Sequence, residues 1–417
     1  MKDKLNLFFK KIEPYFEKLN QNKYLQAVTG AMMATLGPMI LGSFATLFGV
    51  YAGRWHLFAF AQMMTTVNSV TIGAVSLYVV FLIAKHLANL FLKNDDGSSA
   101  GIIALMSFLI MTPLLTKNRS SFIPTTWLGA SGLFSAIIIG LIVGRLYVYM
   151  KVHNWTIKMP NGVPPMVSET FAALIPALLM GVLFVLISLL FANTPFHSFH
   201  QAIYTLIQMP LRSIGGSIWA MILVALLMQL VWFFGIHGTN VFMPIVMPIW
   251  MSMDMQNLQA FQAGKPLPNI TGYAFFNVVT WSGTGLGLIL LMTLFAKSKR
   301  YKTLGKVAII PGLFGITEPV IFGTPLVLNF DFFIPFVTND AIMVALAYIL
   351  TKLGILARFS GAQMVFGLPI GFSAASCGGS WTIILFQLIM QLIIAPLLWY
   401  PWFRHADKKA LREEQAK

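Results

Sequence analysis

The chain is dominated by apolar runs that are too long for the core of a soluble domain. Residues 28–51, 67–92, 128–150 and 170–191 are the clearest of these runs, and 384–402 is a shorter one. A helix needs about 20 mostly apolar residues to cross a hydrocarbon core of about 30 Å. Only 10% of the residues are charged, against about 25% in soluble domains. The sequence therefore predicts an all-α polytopic membrane protein.

The basic residues give the chain a net charge of +15, but most of them stand at the ends of apolar runs. Three clusters are prominent, at 2–23, at 297–306 and from 404 onward. Because lysine and arginine concentrate in cytoplasmic loops, these clusters and both termini are predicted to be cytoplasmic, which requires an even number of spans. This distribution argues against a nucleic-acid partner and for a lipid bilayer.

The pattern of apolar runs divides the chain into four parts. Residues 1–24 place apolar side chains and lysines at helical spacing, which predicts an amphipathic helix in the cytoplasmic interface. Residues 25–215 hold five predicted spans and form a scaffold. Residues 216–402 contain broken helices and are assigned as the substrate-binding transport region, and 403–417 as a cytoplasmic tail. We expect about ten spans in all.

Two apolar stretches in the second half carry helix-breaking residues. Residues 219–253 contain no Lys, Arg, Asp or Glu, yet the run Gly-Ile-His-Gly at 235–238 interrupts them. Residues 307–328 contain one charge, Glu318, among several glycines and prolines, and are predicted to form a re-entrant hairpin. Lipid cannot satisfy a broken backbone, so each break must be buried in protein or line a wet cavity. Paired interrupted segments of this kind indicate a transporter binding site.

Glu318 and His237 are the leading candidates for chemistry. A carboxylate inside an apolar segment costs about 2.5–3.5 kcal/mol on insertion scales and indicates function by default. The structural alternative is a carboxylate that hydrogen-bonds to helix ends. A lone histidine in a span is more often an interhelical hydrogen-bonder, but its place at a break flanked by glycines favours function. A buried carboxylate can accept a hydroxyl proton and a histidine can donate to that hydroxyl, so the pair predicts activation of a sugar hydroxyl.

Other polar residues are weaker candidates for contacts with the sugar, since in spans such residues equally serve helix packing. Lys85 lies in the second predicted span, where its side chain can also snorkel to the surface. Asp331 and Asp340 are predicted to flank a span end in contact with water. Further spans are predicted over 273–296, 329–352 and 381–402. The secondary candidates are Lys85, Asn240, Asn277 and Trp281, followed by Gln229 and Gln363. With one cysteine, Cys377, and no Cys/His spacing, we expect no disulfide, metal or cofactor.

Two motifs resemble those of the membrane (IIC) component of sugar phosphotransferase systems, nearest to the cellobiose/lactose/chitobiose branch. They are Trp-Phe-Phe-Gly-Ile-His-Gly at 232–238 and Gly-Ile-Thr-Glu-Pro-Val-Ile-Phe-Gly at 315–323. The likeness extends to Pro-Leu-Val-Leu-Asn at 325–329, Ile-Pro-Phe at 334–336 and Asn-Lys-Tyr-Leu-Gln-Ala at 22–27. The likeness therefore spans most of the chain, and it implies the fold of phosphotransferase-system (PTS) IIC components, with re-entrant hairpins.

The resemblance also implies roles for particular residues. The family's histidine and glutamate fall on His237 and Glu318. Thr317 stands where the family usually has asparagine, and it is predicted to be a substrate-binding residue. The run Trp-Ser-Gly at 281–283 stands where the family usually has Gly-Gly-Ser-Gly. Both departures leave the identity of the sugar open.

The activity that the resemblance implies is group translocation across a bacterial cytoplasmic membrane. A β-linked disaccharide such as cellobiose, diacetylchitobiose or lactose would enter from outside and be phosphorylated on its 6-hydroxyl by the phosphocysteine of a separate soluble IIB protein. The resemblance further implies a homodimer, with residues 25–215 as the dimerisation region. One alternative is a proton-coupled secondary sugar transporter with Glu318 as the proton carrier. Another is a membrane transferase without transport, but the sequence lacks the wet catalytic loop that such an enzyme normally has.

Overall fold

The structure is a computed structural model, and it describes residues 14, 18, 21–92, 95–117, 120–160, 162, 165–324, 326–378 and 380–416. The amphipathic helix predicted over residues 1–24 falls almost entirely outside the described residues. The chain divides into two compact units. The first unit contains residues 18–213 and 247–252, and the second contains residues 214–246 and 253–417.

Long helices make up the first unit, with one short antiparallel hairpin among its described residues. The helices are α1 (Lys23–Ala34), α2 (Leu36–Arg54), α3 (Phe58–Val70), α4 (Val75–Phe91), α5 (Ser98–Met111), α6 (Leu133–Val152), α7 (Pro165–Ala172), α8 (Leu174–Ala192), α9 (Phe199–Ile203) and α10 (Met209–Gly215). The strands β1 (Leu115–Lys117) and β2 (Ser120–Phe122) pair with Leu115 opposite Phe122. A π-helical turn at Tyr204–Gln208 joins α9 to α10.

Local sequence explains how these helices begin and pack. The Asn22 side chain accepts hydrogen bonds from the backbone N–H groups of Tyr24 and Leu25, and so caps α1. Helices α4 and α6 approach closely because Gly140 and Gly144 face α4. A Cβ atom on Gly140 would stand 3.0 Å from the Val80 carbonyl oxygen. Small residues at such contacts are the usual means of close packing between membrane helices.

The second unit contains shorter and more frequently interrupted helices. They are α11 (Ile218–Phe233), α12 (Gly238–Gln262), α13 (Tyr273–Val279), α14 (Gly285–Phe295), α15 (Lys299–Leu313), α16 (Glu318–Gly323), α17 (Phe333–Lys352), α18 (Phe372–Ser376), α19 (Trp381–Ile389) and α20 (Ala395–Gln415). A 3₁₀ segment, Trp281–Thr284, connects α13 to α14, and a π-helical turn, Met390–Ile394, connects α19 to α20. An aromatic core that includes Phe233, Phe332 and Trp399 holds these elements together.

Seven helical segments of the described chain are long and apolar enough to cross a membrane, or eight if the bent pair Phe199–Gly215 and Ile218–Phe233 counts as one span. The seven are Lys23–Arg54, Phe58–Phe91, Ala130–Val152, Thr170–Ala192, Tyr273–Phe295, Phe333–Lys352 and Trp381–Gln415. The predicted all-α polytopic fold is confirmed. The count is lower than about ten partly because α5, an expected span, has 14 residues, fewer than the roughly 20 that a crossing needs.

Three breaks interrupt the helices of the second unit. The two predicted ones are confirmed: Gly235 and Gly315 both have left-handed backbone conformations, with φ of +86° and +85°. A further break, at residues 282–284, was not predicted; in chain order it is the second break, between the first at Gly235 and the third at Gly315. The span predicted over 273–296 is present as Tyr273–Phe295, but at residues 282–284 the chain has φ of 55°, 56° and 55°, so this span is interrupted. Two of these three residues are not glycine, and left-handed backbone costs such residues roughly 1–2 kcal/mol each.

Each break is stabilised by a donor from elsewhere in the same unit. The backbone N–H of Leu328 donates to the Phe233 carbonyl at 2.9 Å, and that of Ile370 donates to the Leu313 carbonyl at 2.9 Å. The indole N–H of Trp399 donates to the Thr284 carbonyl at 3.0 Å. These bonds satisfy backbone groups that lipid could not, which explains how the helices remain broken.

Candidate functional site

The three breaks border one cavity of about 380 Å³ within the second unit. Pockets for small molecules range from about 300 to 1,000 Å³. The cavity wall combines indole rings with a few polar side chains. The wall residues contributed by the breaks include Trp232, His237, Trp281, Ser282, Gly283, Gly315, Thr317 and Glu318.

His237 stands at the first break, where it is the N-cap of α12. The backbone N–H of Asn240 donates to His237 Nδ1 at 3.4 Å. The imidazole also packs against the Trp232 indole, with ring centroids 4.3 Å apart. Because Nδ1 acts as the acceptor, a neutral His237 carries its proton on Nε2. The ring is thereby arranged to donate a hydrogen bond from Nε2.

Glu318 is the first residue of α16 and its side chain is exposed on the cavity wall. No described residue donates a hydrogen bond to its carboxylate, so the structural alternative of a carboxylate tied to helix ends has no support among the described residues. Glu318 is close enough for its charge to act on the His237 imidazole. The structure therefore presents a free carboxylate and a hydrogen-bond donor on the same cavity.

Glycines allow the second and third breaks to touch. A Cβ atom on Gly315 would stand 3.3 Å from the Trp281 indole, and one on Gly285 would stand 2.8 Å from Thr317 Cγ2. Thr317 itself is buried, and its carbonyl accepts the Val320 backbone N–H at 2.9 Å at the start of α16. The position of Glu318 thus depends on close contact between α14 and the third break.

The structure brings five of the seven predicted site residues to this cavity. These are His237, Glu318, Asn277, Trp281 and Thr317. Asn240 does not line the cavity, but its backbone N–H holds His237, as described above. Lys85 belongs to the first unit and is not among the lining residues. Contacts of Asn240 and Lys85 with a sugar therefore remain predictions.

Lys85 lies near an acidic loop. Its Nζ atom is 3.8 Å from Asp96 Oδ2. Hydrogen bonds from the Ser98 hydroxyl and backbone N–H, together with the Lys85 charge, hold the pKa of Asp96 below its ordinary value. Asp96 is therefore ionised at neutral pH, and its negative charge lies beside the Lys85 ammonium group.

Asp340 is a cavity residue that the sequence analysis placed wrongly. It was expected at a wetted span end, but it is only 4% exposed and also lines the cavity. Gln229, a secondary candidate, donates from Nε2 to Asp340 Oδ2 at 2.5 Å. The physical reason is that α17 begins at Phe333, which puts Asp340 two turns inside the helix. The sequence carried a signal for Asp340, because an ionisable residue within a predicted membrane span indicates a functional site.

Asp254 is a second buried carboxylate that the sequence analysis did not single out. It accepts hydrogen bonds from the Ala274 backbone N–H at 2.7 Å and from Gln363 Nε2 at 3.1 Å. Ala274 lies in the first turn of α13, the helix that carries Asn277 and leads to Trp281. Asp254 is therefore a positioning residue for this wall of the cavity. In the described part of the chain no group of three His, Cys, Asp or Glu residues could hold a metal ion.

Fold and site together define a class of protein. Several helices are long enough to span a membrane, and the helices of one unit break around a polar cavity. The breaks place donors, acceptors and aromatic faces around that cavity. This is the arrangement by which membrane transporters bind their substrates.

Comparisons with known proteins identify the family. The profile of the family "Phosphotransferase system, EIIC" matches residues 29–339. The oligo-beta-mannoside-specific EIIC component of Bacillus subtilis (strain 168) is 32% identical over 417 residues, which cover 96% of this chain and 94% of the relative. The cellobiose-specific EIIC component of Geobacillus stearothermophilus is 32% identical over 430 residues, which cover 97% and 95%.

A solved structure agrees with these relatives. It is the crystal structure of the transporter ChbC, the IIC component from the N,N'-diacetylchitobiose-specific phosphotransferase system. It matches with a TM-score of 0.90 and 31% identity, and the match covers 99% of this chain and 100% of ChbC. This chain belongs to the phosphotransferase system EIIC family, and it is a multi-pass membrane permease component of such a system. The prediction made from the two motifs is confirmed.

Proposed function

We propose that this permease carries a β-linked disaccharide such as cellobiose, diacetylchitobiose or lactose, and that the sugar binds in the cavity at the three breaks. One observation carries the proposal: His237 and Glu318 line one cavity together with the indoles of Trp232 and Trp281. Indole faces can pack against the C–H face of a sugar ring while the polar groups bind its hydroxyls. Relatives named for oligo-beta-mannosides, cellobiose and N,N'-diacetylchitobiose support this substrate class.

The proposed chemistry is transfer of a phosphoryl group to the sugar 6-hydroxyl. As the hydroxyl oxygen forms its bond to phosphorus, the bond from phosphorus to a cysteine sulfur of the donor protein breaks and a thiolate leaves. The Glu318 carboxylate accepts the hydroxyl proton as a general base. His237 donates from Nε2 to a sugar oxygen and so orients the reacting group. Asn277, Trp281 and Thr317 are assigned to sugar contacts in the same cavity, and Asn240 and Lys85 are retained as further candidates.

The proposed assembly has two protein partners. The phosphoryl donor is a soluble phospho-IIB protein, separate from this chain, which meets the permease on the cytoplasmic side. The second partner is another copy of this chain, in a homodimer formed through residues 25–215. Both termini are assigned to the cytoplasm because basic residues cluster at residues 2–23 and from 404 onward.

Uptake by reconstituted vesicles tests the proposed function. Vesicles that contain the permease are given a labelled β-linked disaccharide, with and without the phosphorylated soluble partners. We expect accumulation only with the partners, and recovery of the sugar inside as its 6-phosphate. Accumulation of unmodified sugar under a proton gradient would instead identify a proton-coupled transporter, with Glu318 as the group to test as proton carrier.

A further inference from the structure

Two helix ends of the second unit carry a dense set of exposed cations. One is the start of α15, and the other is the last part of α20, which ends at Gln415. We refer to these cations as the basic patch. Its members are Lys297, Lys299, Arg300, Lys302, Lys306, Arg404, Lys408, Lys409 and Arg412, all with exposed side chains.

Two of the carboxylates beside the basic patch are bound by backbone groups, whereas Asp331 and the exposed Glu413 lie near Lys409. Asp407 is buried and accepts from the backbone N–H groups of Lys297 and Ser298 at 2.9 and 3.0 Å, and from the Ser298 hydroxyl at 2.7 Å. Glu414 accepts from the backbone N–H groups of Lys299 and Arg300, both at 2.9 Å. These bonds join the end of α20 to the start of α15, so they hold the two helix ends that carry the patch next to each other.

Most of the patch side chains are therefore left without a charged partner. Of the nine patch cations, only Lys409 forms an ion pair with a described residue, Asp331, at 2.9 Å. In an ordinary surface the neighbouring acids would pair with the basic side chains, whereas here two acids turn toward the backbone. The result is a preorganised surface of positive charge, which attracts an anionic partner over a distance and orients it.

The basic patch is continuous with the segment that carries Glu318. Helix α16 packs on α15, since a Cβ atom on Gly323 would stand 2.6 Å from Leu304 Cδ1. Lys302 and Lys306 lie two residues on either side of Leu304. Helix α15 then ends at the third break, directly before Glu318. A partner bound to the patch would thus contact the helix against which the Glu318 helix rests.

We infer that the basic patch is the docking surface for the phosphorylated donor protein. This inference rests on the proposed function, because it names where the donor of that reaction binds. A phosphoryl group carries about two negative charges at neutral pH, and all patch cations except Lys409 lack an ion pair with a described residue, next to the helix pair that leads to the reacting cavity. Preorganisation by Asp407 and Glu414 lowers the entropic cost of binding.

The test is a charge reversal in the middle of the patch, Lys302→Glu with Lys306→Glu. The variant is reconstituted in vesicles of neutral phosphatidylcholine, and sugar phosphate formation is measured against the concentration of phospho-IIB. We expect the KM for phospho-IIB to rise at least about tenfold and to lose much of its salt dependence, because interface charges set association rates. The kcat at saturating donor and the dissociation constant for the sugar should stay within about twofold. Lys302→Gln with Lys306→Gln should give an intermediate KM.

The matched control makes the same charge change elsewhere in the second unit, at Lys265 and Lys352, which are also exposed. Lys352 ends α17, whose 20 residues correspond to a length of about 30 Å. The other end of α17 adjoins Phe332, whose ring centroid is 6.5 Å from that of Tyr301 in α15. The control should therefore leave the KM for phospho-IIB unchanged.

Several outcomes would overturn the docking assignment. An unchanged KM in the patch variant, or an equal rise in the control variant, would show that these cations do not bind the donor locally. A KM shift that appears only when the vesicles contain anionic phosphatidylglycerol would assign the patch to the membrane surface. If the unmodified permease forms no sugar phosphate with phospho-IIB, the proposed function itself fails and the docking assignment fails with it.

Discussion

The contact between Gly285 and Thr317 predicts that one added methyl group will impair the reaction without unfolding the protein. In Gly285→Ala, the new Cβ atom would stand 2.8 Å from Thr317 Cγ2 and 3.1 Å from Thr317 Cβ. Ordinary van der Waals contact requires about 3.5–4.0 Å, so Thr317 must move by up to about 1 Å. Because Thr317 immediately precedes Glu318, the carboxylate must move with it.

The magnitude follows from the cost of misplacing a reacting group. A displacement of about 1 Å can cost about 100-fold in rate, and overpacking of a core costs about 1–3 kcal/mol. We expect Gly285→Ala to lower kcat for sugar phosphorylation by about 10- to 100-fold, which is about 1.4–2.7 kcal/mol of activation free energy. The assay is sugar phosphate formation at saturating phospho-IIB, with size-exclusion chromatography as the check on folding.

A second substitution provides the decisive comparison. Thr317→Ser removes the clashing Cγ2 methyl group and keeps the hydroxyl, so alone it should change kcat by no more than about threefold. Combined with Gly285→Ala it should restore most of the lost activity, since residues in direct contact show non-additive effects. Gly37→Ala is the matched control, because a Cβ atom there would meet no described neighbour within 4 Å beyond its own helix. A double variant as impaired as Gly285→Ala alone would refute the reasoning.

Three further substitutions test the cavity. Glu318→Gln should keep the dissociation constant for the sugar within about tenfold yet abolish phosphorylation, because the amide cannot accept the proton; an active variant would remove Glu318 from the role of base. His237→Ala should weaken both sugar binding and turnover, as measured by equilibrium binding and by phosphorylation, and unchanged values would return His237 to a structural role. Asp340→Ala should lower the free energy of unfolding by about 1–3 kcal/mol, because the buried Gln229 amide loses its acceptor; an unchanged thermal midpoint would contradict this.

Residues near one another in the sequence predicted the first and third breaks. Glycine tolerates positive φ at no steric cost, and the runs around Gly235 and Gly315 concentrate glycine and proline within apolar segments. The single carboxylate at Glu318 likewise stands out against its apolar neighbours. These signals are local, so the sequence was sufficient to place His237 and Glu318 at breaks and to expect them in one cavity.

The second break could not be predicted because its cause is distant. Ser282 and Thr284 adopt left-handed conformations that their own residue types disfavour. The donor that stabilises this conformation is the Trp399 indole, 115 residues later in the chain. No local pattern around 281–284 reports that bond, and so the break inside the predicted span over 273–296 was not anticipated.

The depth of Asp340 depended on an element boundary, which sequence patterns locate less well than they locate the element itself. The sequence analysis placed Asp331 and Asp340 together at a wet end of the span predicted over 329–352. In the structure α17 begins at Phe333, and the aromatic core around Phe332 and Phe336 buries its first turns. Tertiary packing therefore converted a residue expected in water into part of the cavity wall.

In the proposed function, the three breaks also explain how binding and chemistry can share one site. Each break is held by a bond from another part of the unit: the Leu328 N–H on Phe233, the Ile370 N–H on Leu313 and the Trp399 indole on Thr284. A continuous helix would satisfy its backbone internally and leave only side chains for the substrate. Because these bonds satisfy the backbone carbonyls at the breaks, the helices can stay interrupted. His237, Trp281 and Glu318 can then approach one another from three separate segments. The glycines that permit this approach also leave little room for an added methyl group at Gly285, so we expect the proposed site to respond to that substitution.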